Sequence, residues 1–160
     1  MIFSELILDL QQELKSNLPQ IRFLLKKNPA TAYTRIVEIG KEVGLKYKIK
    51  LVVNFPKAGR IDEFDMYGKR DLSLIIDYDK KRFPINREII KDKAKEILGD
   101  IKVEDAYMYE NKEGVRVFTD EWKIDILPHS VHIWTEFDDK VTKFCDWLIE
   151  NAYELKSNKK

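Results

Sequence analysis

The stretch Lys57 to Lys81, KAGRIDEFDMYGKRDLSLIIDYDKK, decides how the fold is read. Asp71 to Tyr78 is near-continuously apolar, the pattern of a strand in the middle of a sheet. It runs into Asp77 and Asp79, which are two residues apart and so share one face of an extended chain. Ahead of it, Arg60 to Met66 reads as a second strand, and Tyr67 to Arg70 as a hairpin turn with Gly68 at its tip. Such a hairpin brings Asp62 close to Asp77, because paired strands lie ~4.8 Å apart. Carboxylates at the ends of apolar strands are costly to desolvate unless they are paired, hydrogen-bonded or bound to a metal.

Working upstream, Lys46 to Asn54 alternates and then turns apolar, as a strand entering a core does. Pro29 opens a helix through Ala32, Tyr33, Ile36, Ile39 and Val43, with Gly44 as its C-cap. Phe3 to Lys27 repeats Leu6, Ile7, Leu10, Leu14, Leu18, Ile21 and Leu25 at helical steps, and Pro19 is placed to split it in two. Downstream, Pro84 and Asn86 introduce a helix from Arg87 to Leu98 ending near Gly99. Ile101 to Tyr109 reads as a strand, Glu113 and Gly114 as a turn, and Val115 to Phe118 and Ser130 to Trp134 as further strands. Phe137 to Leu155 is a closing amphipathic helix. Short turns make the first three strands antiparallel neighbours. The helix after the third allows a parallel, right-handed crossover to the fourth. The expectation is one domain over residues 1–160. It has a helical extension at 1–28, a core at 29–109 and an elaboration at 110–160.

The chain of 160 residues is 44% apolar and 36% charged, with 29 basic and 28 acidic residues. Net charge therefore selects no partner. Its distribution is uneven: Lys41 to Ile97 has 15 basic against 10 acidic residues, and Leu98 to Lys160 has 9 against 14. The basic excess lies in the segment that holds the aspartates and allows a phosphate-bearing ligand there. The single cysteine, Cys145, excludes an internal disulfide and fits a reducing compartment. No apolar run reaches the ~18 residues of a membrane span. The first residues lack the basic start of a secretion signal, so a cytoplasmic location is expected.

Asp62, Asp77 and Asp79 form the central carboxylate set. Glu38 and Glu42, four apart on the helix before the first strand, can join it. Helical phase puts Glu42 nearer the apolar face, whereas Glu38 lies almost opposite. Convergent carboxylates repel one another, and a hard cation with oxygen ligands, Mg²⁺ or Mn²⁺, removes that repulsion. Such an ion can activate water and stabilise a phosphodiester transition state.

This order of elements, with GRID at Gly59 to Asp62 and IDYDK at Ile76 to Lys80, resembles the PD-(D/E)XK nuclease superfamily. The resemblance covers Pro29 to Tyr109. It implies a restriction-endonuclease-like αβββαβ core with a mixed sheet, and a metal-dependent nuclease acting on DNA, less readily on RNA. It implies metal ligands at Asp62, Asp77 and Asp79, with Glu42 or Glu38. Ile61 stands where the family has proline, and Asp79 where it has its lysine. The lysine's role, orienting the attacking water, then passes to Lys80 or to the following helix, where Lys91, Lys93 and Lys95 are available. Lys57, Arg60, Lys69, Arg70, Lys81 and Arg82 would track phosphates. The alternative is an inactive nuclease-like fold that binds nucleic acid or protein.

Other features read more plainly. His129 and His132 lack two further ligands at zinc spacing. Trp122, Trp134 and Trp147 read as core or interface aromatics before base-stacking platforms. The apolar stripe of the leading helix packs either on this domain or against a second copy as a homodimer.

Overall fold

A computed structural model describes residues 2–54, 70–75, 86–108, 111–135 and 138–152. The chain opens with α1 (Ile2–Ser16), α2 (Leu18–Lys27) and α3 (Pro29–Leu45). Two strands follow, β1 (Lys50–Asn54) and β2 (Arg70–Ile75), then α4 (Arg87–Leu98). Four more strands are β3 (Lys102–Met108), β4 (Asn111–Phe118), β5 (Lys123–Ile126) and β6 (Ser130–Thr135). The last helix is α5 (Asp139–Trp147), continued by a π-helical turn, Leu148–Ala152.

The strands form one six-stranded sheet in the order β1-β2-β6-β5-β4-β3. Every described pairing is antiparallel. β2 is interior, as its apolar run predicts. The expected mixed sheet is not what these pairings form, nor is the expected hairpin that would bring Asp62 beside Asp77, because β1 and β6 take both sides of β2. The place beside β2 is taken by β6, whose Val131 and Ile133 continue the apolar rows of Leu74 and Leu72. β3, the strand after α4, lies at the far edge. The physical reason is the run of connections from β3 to β6: short turns favour pairing with the next strand in sequence. Thr119 N–H donates to the Trp122 carbonyl at 2.9 Å and Leu127 N–H to that of Ser130 at 2.8 Å, closing the last two hairpins.

Register defines the two faces of the sheet. Leu51, Leu74, Val131, Ile126, Val115 and Asp105 form one row of direct partners. α3 packs on the Leu51 end of this face and α4 on the Asp105 end. Between them α1 touches α3 and α5, and α5 touches α4, so the helices make a layer α3-α1-α5-α4 on one side. Leu51, Val53, Val115, Val117, Ile124, Ile126, Val131 and Ile133 are buried beneath it.

The apolar stripe of α1 lies in the same layer: Phe3, Leu6, Ile7, Leu10 and Leu14 are all buried within this chain. Of the two placements open to the stripe, packing on this domain is the one formed. Asn17 separates α1 from α2, with Pro19 in the first turn of α2. Asn86 caps α4 by accepting from Ile89 N–H at 3.1 Å, and Gly99 closes that helix at φ 79°.

Two glycines differ from their expected roles. Gly44 is no C-cap: α3 continues to Leu45, and the left-handed residue beyond it is Lys48, at φ 58°. A Cβ on Gly44 would lie 2.8 Å from the Leu51 backbone nitrogen, so its small size lets α3 sit on β1. Gly114 is not in a turn. It lies inside β4 opposite Ala106, where a Cβ would meet the Ile126 carbonyl oxygen at 2.5 Å.

Candidate functional site

Asp62, Asp77, Asp79 and Lys80 lie outside the described residues, as do Arg60, Lys57, Lys69, Lys81 and Arg82. Arg70 begins β2, where its backbone is the register partner of Thr135. β2 ends at Ile75, two residues before Asp77.

Glu38 and Glu42 are described, and α3 turns both away from the strands. Arg35 holds them, at 3.5 Å from Glu38 and 3.8 Å from Glu42, and donates to Asn17 Oδ1 at 3.1 Å. Their side chains remain 55% and 64% exposed, so both acids stand in solvent on the α2 side. The face of α3 that meets the sheet is instead Ile36, Ile39, Gly40, Val43 and Gly44.

Lys91 sits at the other end of the sheet. Its ammonium donates to Asp105 Oδ1 at 2.8 Å and lies 3.6 Å from Glu88. The Asp105 hydrogen bond raises its pKa, so it stays charged. Arg87 adds a second cation to Asp105 at 3.2 Å. Asp105 and Leu74 share a register row but are four strand steps apart, ~19 Å. Lys91 and β2 therefore do not meet. Lys93 pairs with Glu96 at 2.9 Å and lies over the Trp147 ring; Lys95 is exposed on α4.

The described residues converge on chemistry at a place the sequence reading passed over, the open face of the sheet. Glu104, Arg116, Asp125 and His132 are direct partners across β3, β4, β5 and β6. Arg116 grips Asp125 with two hydrogen bonds, 2.7 Å and 3.3 Å, and lies 3.6 Å from Glu104. The Asp125 bond pushes the guanidinium pKa further up. In the neighbouring row Lys102, Phe118, Lys123 and Trp134 follow one another. A recess of about 340 Å³ opens here, bounded by the Thr119–Trp122 turn. Phe118, Lys123, Trp134 and Arg116 line it.

The signal for this surface was present in the alternation. Val115, Val117, Ile124, Ile126, Val131 and Ile133 take the core phase. That leaves Arg116, Phe118, Lys123 and Trp134 on the outward phase, where large aromatics are unusual.

Among the described residues, no three His, Cys, Asp or Glu side chains group as a metal site. Cys145 is buried, and burial followed by the Asp146 charge pushes its thiol pKa well above the ordinary value. No described helix is long and apolar enough to cross a membrane. No family model matches this chain, and neither a curated protein nor a solved structure matches it.

Proposed function

We propose that this chain is a metal-dependent nuclease that hydrolyses phosphodiester bonds in DNA. One observation supports the reading most: β2, the strand leading into Asp77 and Asp79, is interior, with β1 and β6 on its two sides. Acids that follow an interior strand are well placed to meet other groups at the end of the sheet. In this reading Asp62, Asp77 and Asp79 hold Mg²⁺ or Mn²⁺, which supplies an activated water and offsets charge on the phosphodiester. Glu38 and Glu42 do not fit as further ligands, because Arg35 holds them on the outer side of α3. Lys91 is committed to Asp105, so the water-orienting role falls to Lys80. Lys57, Arg60, Lys69, Arg70, Lys81 and Arg82 track phosphates.

The restriction-endonuclease-like form of the core belongs to this proposal, as does a cytoplasmic location. Its support is the order α3, β1, β2, α4, β3, with α3 packed on β1. Its difficulty is the place of β3, at the far edge from β2. A second reading, a nuclease-like module that binds nucleic acid without cleaving it, is favoured by the ion pairs that occupy Glu38, Glu42 and Lys91.

Thermal unfolding with and without Mn²⁺ tests the metal. A ligand that binds only the folded chain at 100 times its Kd stabilises by about 2.7 kcal/mol. The wild type is expected to gain stability with Mn²⁺ and Asp77→Ala to gain none. Equal response of the two proteins would refute the assignment.

A further inference from the structure

We infer that the β1 edge of the molecule holds the phosphate backbone of duplex DNA, through two clusters of cations at the two ends of α3. This rests on the reading that the chain acts on nucleic acid, and it names the form of the substrate and a surface that grips it.

Residues 14–54 carry 9 basic and 2 acidic side chains, in a chain whose net charge is +1. The fold gathers them at one end, because α2 packs on α3 and α3 on β1, the first strand of the sheet. Arg22, Lys26 and Lys27 run down α2 to the start of α3, and Lys46, Lys48 and Lys50 lie where α3 ends and β1 begins. All six are exposed, and among the described residues none of them forms an ion pair with a carboxylate. The two acids of the stretch, Glu38 and Glu42, are both held by Arg35. The far end of the sheet differs. There Lys91 and Arg87 meet Asp105 at 2.8 Å and 3.2 Å, and Arg116 meets Asp125 at 2.7 Å. Cations left without counter-charges repel one another, and a polyanion removes that repulsion.

Spacing selects the partner. α3 has 17 residues, so at 1.5 Å per residue it separates the two clusters by ~26 Å. A free phosphate or a nucleotide reaches one cluster only. A duplex, with phosphates every ~3.4 Å along each strand, covers the interval in about eight base pairs. An anionic membrane fits less well, because a helix lying in a membrane surface needs a free apolar face. The apolar side of α2 is used inside the chain: Ile21 is buried and Leu25 packs on the core, while the exposed Phe23 ring has the Lys27 ammonium over it at 5.8 Å. Phosphate contacts position a protein without reading bases, so this edge binds duplex of any sequence, with affinity that falls steeply with salt.

The test is fluorescence anisotropy in EDTA with a labelled DNA duplex long enough to reach both clusters, over a range of salt concentrations. The proteins are wild type, two edge variants, Lys26→Gln/Lys27→Gln and Lys46→Gln/Lys48→Gln, and a control, Lys95→Gln/Lys140→Gln. The control removes the same charge from exposed lysines of α4 and α5, and circular dichroism checks that each protein is folded. The logarithm of the wild-type association constant is expected to fall with the logarithm of salt at a slope of about −5, from six cations at ~0.9 each. Each edge variant is expected to bind more weakly and to make the slope shallower by about 2, whereas the control keeps the wild-type slope. If the wild type binds the duplex and the edge variants behave as the control does, this edge is not the surface although the nucleic-acid reading stands. If the wild type binds phosphatidylserine vesicles and not the duplex, the inferred partner is overturned. If it binds neither these nor single-stranded DNA, the edge and the nucleic-acid reading fall together.

Discussion

Asp146, buried on α5, accepts a hydrogen bond from the backbone N–H of Ser4 at 2.9 Å and another from the Ser4 hydroxyl. Ser4 lies in the first turn of α1, where backbone N–H groups have no partner within the helix. A carboxylate at that end also meets the positive pole of the helix. One side chain therefore ties the first helix to the last.

Removing this carboxylate leaves α1 with an orphan donor in the interior. Asp146→Ala is expected to cost about 2–4 kcal/mol, and Ser4→Ala, which loses only the hydroxyl bond, about 1 kcal/mol. Urea denaturation measures both. An Asp146→Ala protein within ~0.5 kcal/mol of wild type would contradict this tie between the two helices.

The approach of α3 to β1 gives an independent prediction. Gly→Ala inside a helix ordinarily gains about 1 kcal/mol. At Gly44 the added Cβ would meet the Leu51 backbone nitrogen at 2.8 Å and the Ile49 carbonyl oxygen at 2.9 Å. Backbone cannot rotate aside, so Gly44→Ala is expected to destabilise by about 1–3 kcal/mol. Gly40→Ala meets the Val53 side chain at 2.6 Å and should cost less, because a methyl group can shift. Thermal melts of the two variants compare them directly, and Gly44→Ala melting at or above wild type would contradict the packing.

Stability should fall in alkali, for a nameable reason. Tyr47 is buried, and its hydroxyl donates to Asp9 at 2.5 Å. Burial first, then Asp9, raises its pKa above the ordinary value. Cys145 is raised by burial and by Asp146. Both groups keep their protons in the folded chain after the unfolded chain has released them, from about pH 8.5 for Cys and pH 10 for Tyr. Their contribution is therefore complete below pH 8.5 and declines as pH rises. The expected slope is about 1.4 kcal/mol per pH unit above 8.5, and about twice that above 10. Urea midpoints against pH measure it, and Cys145→Ala should delay the decline to about pH 10. The native thiol should also resist alkylation at pH 8 until the chain is unfolded.

Much of the fold was legible where local rules govern. Pro19, Pro29, Asn86 and Gly99 mark helix ends through backbone constraint and capping, and those ends fall where expected. The apolar run of β2 announced an interior strand. What failed depends on distant partners. The neighbour of β2 is β6, more than fifty residues later, and no local pattern distinguishes it from β3. Gly44 and Gly114 looked like punctuation, yet each is small because another backbone comes close. β5 escaped notice because four residues, Lys123 to Ile126, offer only two turns of alternation.

The candidate site divides the same way. Helical phase favoured Glu42 over Glu38 by counting large apolar residues on α3. The contact face is set partly by Gly40 and Gly44, which that count omits, and Arg35 collects both acids on the other side. Trp134 reads as a core or interface aromatic because such residues usually are, although its alternation phase places it outward.

The most direct test is a cleavage assay on labelled single-stranded, duplex and branched DNA and on RNA, with Mg²⁺, Mn²⁺ or EDTA, for wild type and Asp77→Ala. The account predicts metal-dependent cleavage of DNA by the wild type, abolished by EDTA and lost in a folded Asp77→Ala protein. A folded wild type that cleaves none of these substrates with either metal, or an Asp77→Ala protein that cleaves as well as wild type, would contradict it.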